Sequence, residues 1–152
     1  MESIIKEAVK KYGKDREALV SVLREIVKQK KYLSEDVLVS VAREFNLSTA
    51  QVYGTASFYS FLPTTPCGEN VIRVCKTVVC DMAGKKELVS AIEKKLGVKM
   101  GGTTSDGKFT LLETNCLGQC DNGPAMLIND RVYTKLTPAG AVEAIDNFFG
   151  MA

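Results

Sequence analysis

Apolar residues recur at helical spacing through the first 62 positions of this chain and at strand spacing in much of the remainder. Ala18, Leu19, Val22, Leu23, Ile26 and Val27 return every three or four residues, which puts them on one stripe of a helix that Asp15 is placed to cap. Gly13 predicts the end of the helix before it. Ser34 predicts the cap of a third helix carrying Val37, Leu38, Val41, Ala42 and Phe45 on one face. Ser48-Thr-Ala-Gln51 has the capping-box pattern, in which hydroxyl and amide satisfy each other's backbone N–H groups, so a fourth helix starts there. Pro63 and Pro66 are expected to stop it. A small helical bundle follows from these caps and stripes.

From Glu69 the pattern changes. Val71, Ile72 and Val74 make a short strand entering Cys75, and Glu87 to Leu96 resumes helical periodicity before Gly97. The segment from Gly101 to Gly107 is rich in turn formers, after which Phe109, Leu111 and Leu112 make a strand that delivers Cys116. Ala125-Met-Leu-Ile128 and Arg131-Val-Tyr133 flank Asn129-Asp130 as a hairpin. Thr137 caps a last helix with Pro138 in its first turn and Ala141, Val142, Ile145 and Phe148 on its buried face. The expected class is α+β, with a helical bundle over residues 1–66 and a mixed strand-and-helix domain over 67–152. Both cysteine pairs are expected just beyond strand ends, where ligands of such folds commonly sit.

With 152 residues and 45% apolar content, the chain can bury a real core. The absence of an apolar run near 18 residues argues against a membrane span, and the first residues lack the layout of a secretory signal. A cytoplasmic location follows, peripheral to a membrane only through a larger complex. A net charge of +2, without a long basic stretch or interleaved aromatics, gives no reason to expect nucleic acid. Lys28-Gln-Lys-Lys31 reads as a solvated helix C-terminus, which favours cations.

Five cysteines change the picture. In a reducing compartment they argue for metal ligands over disulfides, and four of them form close pairs, Cys75-x4-Cys80 and Cys116-x3-Cys120. Thiolates are soft, anionic donors that suit a [2Fe-2S] cluster or a structural zinc and disfavour calcium and magnesium. Both spacings also fall within zinc practice, so spacing leaves these two open. The absence of histidine excludes a Rieske centre and any Cys-His zinc site, and the absence of Cys-x-x-Cys weakens a thioredoxin-type dithiol. Cys67, between Pro66 and Gly68, is left outside the site. Gly118 lets the backbone approach a bulky inorganic core and aim N–H groups at sulfur, or meets a turn needing positive φ. Asp81 and Asp121 each follow a cysteine, where a carboxylate makes reduction harder unless water screens it.

Tyr53-Gly-Thr-Ala-Ser-Phe-Tyr59, Val74-Cys75-x4-Cys80, Thr104-Ser-Asp-Gly-Lys-Phe109, Cys116-Leu-Gly-Gln-Cys120 and Leu136-Thr-Pro138 occur in the order seen in the family of the E subunit of NADH-quinone oxidoreductase, which the chain resembles over almost its whole length. The resemblance extends to small subunits of NAD-linked and electron-bifurcating hydrogenases and formate dehydrogenases. It implies an N-terminal helical bundle followed by a thioredoxin-like ferredoxin domain, with Cys75, Cys80, Cys116 and Cys120 as ligands of one [2Fe-2S] cluster. It also implies partners: a flavoprotein subunit that holds FMN and binds NAD(H), and further iron-sulfur subunits. Lys76-Thr-Val-Val79 and Gln119 depart from the family's usual loops, but neither removes a ligand.

The chain has no Gly-x-Gly-x-x-Gly fingerprint and no histidine base, so hydride chemistry is expected on the partner and no independent catalysis here. The rival from another class is a zinc-stapled protein-binding adaptor. A free-standing ferredoxin is the other, against which the helical half counts. Phe45 to Gly68 runs without a charge; core burial is the favoured reading, and a docking face around Tyr53, Phe58, Tyr59 and Phe61 is the alternative.

Overall fold

The structure, a computed structural model, describes residues 2–149. It divides into two compact units with the boundary between Cys67 and Gly68.

The first unit contains α1 (Glu2–Tyr12), α2 (Leu19–Lys30), α3 (Glu35–Glu44) and α4 (Thr49–Phe58). Its core joins Ile5, Ala8 and Val9 of α1 to Val22, Leu23 and Ile26 of α2, Val37, Leu38 and Val41 of α3, and Val52 and Ala56 of α4. The Gly13 N–H donates to the Val9 carbonyl at 2.8 Å and closes α1. Asp15 precedes a 3₁₀ turn at Arg16–Ala18 and makes no side-chain capping bond, so α2 starts only at Leu19. Ser34 occupies the cap position of α3, also without a side-chain bond. Ser48 forms the full box: the Gln51 N–H donates to Ser48 Oγ at 3.3 Å, and the Ser48 N–H donates to Gln51 Oε1 at 3.1 Å. The basic group at Lys28 to Lys31 does close α2.

α4 ends at Phe58, before either proline. Tyr59 turns to extended backbone, and the Pro63 carbonyl accepts the Leu33 N–H at 2.8 Å, which ties the following segment down as a loop. A second correction concerns the uncharged stretch. Phe45 and Leu62 are buried, but Tyr53, Phe58, Tyr59 and Phe61 are exposed, Phe58 by 80%. Core burial therefore does not account for the aromatic group.

The second unit runs β1 (Asn70–Cys75), α5 (Val78–Met82), α6 (Lys85–Leu96), β2 (Phe109–Thr114), β3 (Met126–Ile128), β4 (Arg131–Tyr133) and α7 (Pro138–Phe149). The strands form one sheet in the order β2-β1-β3-β4, with β1 parallel to β2 and the other neighbours antiparallel. Parallel pairing needs a crossover, which α5 and α6 supply. Ile72, Val74, Phe109, Leu111, Met126 and Ile128 pack with Leu88 and Ile92 of α6 and Ala141 and Ile145 of α7. Alternation along β1 then puts Arg73 and Cys75 on the opposite face. The Gly140 N–H donates to Thr137 Oγ1 at 3.0 Å, capping α7 as its sequence suggests. Among the described residues no helix is long and apolar enough to cross a membrane.

Candidate metal centre

The parallel pair β1/β2 sets the site. Cys75 is the last residue of β1 and its Cα pairs with Thr114, the last residue of β2. Two residues beyond Thr114 the chain reaches Cys116, so the strand register brings sequence-distant thiols to one end of the sheet. Cys80 lies not in an open loop but within the one-turn helix α5, and Cys120 opens a 3₁₀ turn at Cys120–Asn122. Cys75 and Cys80 are each 2% exposed, whereas Cys116 and Cys120 face solvent. The site therefore has a buried pair and an open pair.

Within the open pair the sulfurs stand 3.3 Å apart. The Gly118 N–H donates to Cys116 Sγ at 3.3 Å, from a backbone with φ of +75° that side chains other than glycine's resist. Both roles expected of Gly118, the turn and the N–H aimed at sulfur, are present together. In the buried pair, Cys75 Sγ lies 3.2 Å from Thr77 Oγ1.

The thiols sense one another. Burial by itself would raise Cys75, but the Thr77 hydroxyl and N–H, the Cys80 thiol and the Leu117 N–H bring its pKa below the ordinary thiol value. Cys80 is pushed up, first by burial and then by Cys75, against the Ala125 N–H. Cys120 is pushed up first by Cys116, with smaller contributions from burial, Cys75 and Cys80. The charge of the buried pair thus reaches Cys120 of the open pair. Among the described residues, no three or more His, Cys, Asp or Glu side chains are placed to hold a single metal ion. Four soft thiol donors at one end of the sheet suit either a [2Fe-2S] cluster or a structural zinc.

The neighbouring residues follow. Asp81 is drawn to Lys85 at 3.8 Å, and Asp121 is exposed. Cys67 is the last residue of the first unit, its thiol 3.5 Å from the Thr65 carbonyl. Sequence reasoning alone does not single out Thr77, Lys85 or Gly123, the last of which stands against the Cys80 sulfur. Thr77 and the Asp81–Lys85 pair, four residues apart, are within its reach as local patterns; the Lys85–Glu113 contact and Gly123 depend on tertiary packing.

Residues 5–148 match the model of the thioredoxin-like [2Fe-2S] ferredoxin family. This chain belongs to that family. It is 36% identical over 143 residues to the E subunit of NADH-quinone oxidoreductase from Buchnera aphidicola subsp. Acyrthosiphon pisum, covering 93% of this chain and 88% of that one. It is 38% identical over 137 residues to the protein of the same name from Escherichia coli (strain K12), covering 90% and 82%. Among solved structures it resembles a chain of an NAD+-reducing [NiFe]-hydrogenase in the air-oxidized state, with a TM-score of 0.73 and 27% identity over 88% of this chain. The match spans only 23% of that hydrogenase chain. The expected family, and the α+β class with helices ahead of a thioredoxin-like ferredoxin domain, hold.

Proposed function

We propose that this chain is an electron-transfer subunit of an NAD(P)-linked oxidoreductase complex and carries one [2Fe-2S] cluster on Cys75, Cys80, Cys116 and Cys120. The observation that carries the reading is the delivery of two thiol pairs to one end of the sheet in a chain of the thioredoxin-like [2Fe-2S] ferredoxin family. Membership of that family favours the cluster over a zinc-stapled adaptor. Bound there, the cluster supplies a one-electron couple.

Each part of the chain has a task in this reading. Cys75 and Cys80 would hold the cluster from the buried side, and Cys116 and Cys120 from the exposed side. The Gly118 N–H and the Thr77 hydroxyl donate toward sulfur, which favours the anionic thiolates and eases reduction. The buried pair keeps water from one side of the centre, and the open pair gives a partner's redox group a short path. Hydride exchange with NAD(H) belongs to FMN on a partner flavoprotein subunit, since nothing in this chain offers a dinucleotide fingerprint. Further iron-sulfur subunits complete the complex, and respiratory NADH-quinone oxidoreductase, a bifurcating hydrogenase and a formate dehydrogenase are the candidate parents. The exposed aromatics of α4 and the segment after it are the docking candidate.

Anaerobically purified chain should contain about two irons and two labile sulfides. NADH alone should leave its visible absorbance unchanged in stopped flow, and NADH with the flavoprotein partner should bleach it. One zinc without labile sulfide, or bleaching by NADH alone, overturns the proposal.

A further inference from the structure

Lys85 opens α6, and its side chain, only 15% exposed, turns back between two carboxylates: Asp81 of α5 at 3.8 Å and Glu113 of β2 at 3.4 Å. Each carboxylate belongs to an element that serves a site cysteine. Asp81 follows Cys80 inside α5. Glu113 pairs with Val74, one step before the Cys75–Thr114 pair, on the strand that runs on to Cys116. One ammonium group therefore touches the turn holding Cys80 and the strand leading to Cys116. We propose that Lys85 is a positioning residue of the iron-sulfur centre, fixing the Cys80 turn against β2 and offsetting the two carboxylates beside the site. The inference rests on the cluster reading above.

Two physical arguments support it. The first is mechanical. α5 has five residues, too few to hold its own shape, and only Cys80 among them is buried. Val78 and Met82 are 69% and 85% exposed and give it no packing. The direction of the Cys80 thiol thus depends on ties to neighbouring elements, and Lys85 supplies one to β2. The second is electrostatic. The ammonium pairs with two partly exposed carboxylates on elements that serve site cysteines, so removing it leaves two uncompensated like charges there. Adding an electron to the centre then becomes harder.

The test compares wild-type, K85M and K85R full-length chains, purified anaerobically. K85M should lose its visible absorbance to an iron chelator roughly tenfold faster, the lower end of what partners of metal ligands cost. Its midpoint potential, from an EPR-monitored redox titration, should be more negative. K85R keeps the cation and should return the potential to the wild-type side, with the thermal melts of the three metal-free chains coinciding. K85M matching wild type in both lifetime and potential overturns the proposal. So does faster loss matched by an equally lowered metal-free melt, which makes Lys85 an ordinary structural ion pair, and so does a K85R potential that stays with K85M. A wild-type chain without iron or labile sulfide fails the cluster reading itself, and the lysine argument falls with it.

Discussion

Gly123 stands against Cys80: a Cβ placed on Gly123 would lie 3.4 Å from the Cys80 sulfur and 3.6 Å from the Ala83 Cβ. The segment just after Cys120 is thereby seated on the helix that carries Cys80, and the thiol pairs share a wall as well as a field.

A methyl group on Gly123 just fits that wall, since both distances are ordinary contact, but a longer side chain does not. Gly123→Ala should keep wild-type iron content, whereas Gly123→Leu should overpack the wall at about 1–3 kcal/mol, and the atom that must yield is a proposed ligand. The expected result for Gly123→Leu is a folded chain by circular dichroism with less iron bound per chain and faster cluster loss. Wild-type iron content and lifetime in Gly123→Leu would show that Cys80 accommodates the larger side chain.

Replacing Cys75, Cys80, Cys116 or Cys120 singly with Ala should abolish or greatly weaken cluster binding, because one iron loses a ligand. Cys67→Ala should retain it, since Cys67 closes the first unit while the four lie in the second. Iron and labile-sulfide analysis with visible spectra checks the set. If Cys67→Ala empties the site while one of the four tolerates replacement, the ligand assignment is wrong.

Phe58→Asp should weaken assembly with the flavoprotein partner at least about tenfold while leaving the visible spectrum intact, a loss of about 1.4 kcal/mol or more. Phe58 is 80% exposed on a helix without a charged residue, so the substitution removes apolar contact at no cost to the core. Titration of the partner by size exclusion or calorimetry gives the affinity.

Glu93 predicts a pH dependence. Its carboxylate accepts the Met100 N–H at 2.9 Å and Lys99 Nζ at 3.0 Å, and these bonds, the Met100 N–H first, hold its pKa below the ordinary glutamate value. A group whose folded pKa is lowered contributes stability above its unfolded pKa, and that contribution disappears as pH falls through the folded value. Glu93→Gln should therefore lower the melting temperature at neutral pH, and the gap to wild type should narrow on acidification through the glutamate range. A gap constant with pH would remove the carboxylate from the account.

What is legible in the sequence is local. The Ser48–Gln51 box, the Gly13 stop, the Thr137 cap and the hairpin at Asn129 depend on a few consecutive residues, and all appear in the fold. α5 is hidden because one turn is too short to show a period. The prolines misplace the end of α4 because Tyr59 leaves helical backbone ahead of them and the Leu33 to Pro63 bond anchors the loop from another part of the unit. The aromatics read as core because α4 is apolar, but its buried contact is made by Val52 and Ala56, which leaves the larger rings outside. For the site, pair spacing and donor type are legible. The split into a buried and an open pair is not, nor are the Lys85–Glu113 contact and Gly123, because these depend on the β1/β2 register and the return of the chain after Cys120.

The parallel pairing of β1 with β2 has a consequence for how the chain is made. Cys75 and Cys80 leave the ribosome well before Cys116, which lies 36 positions after Cys80, and only the completed crossover lays β2 alongside β1. On the ligand set proposed above, a nascent chain at that stage presents only two of the four thiolates, so complete cluster binding would follow translation past Cys120. The colour of the protein would then mark a chain that has been made to that point.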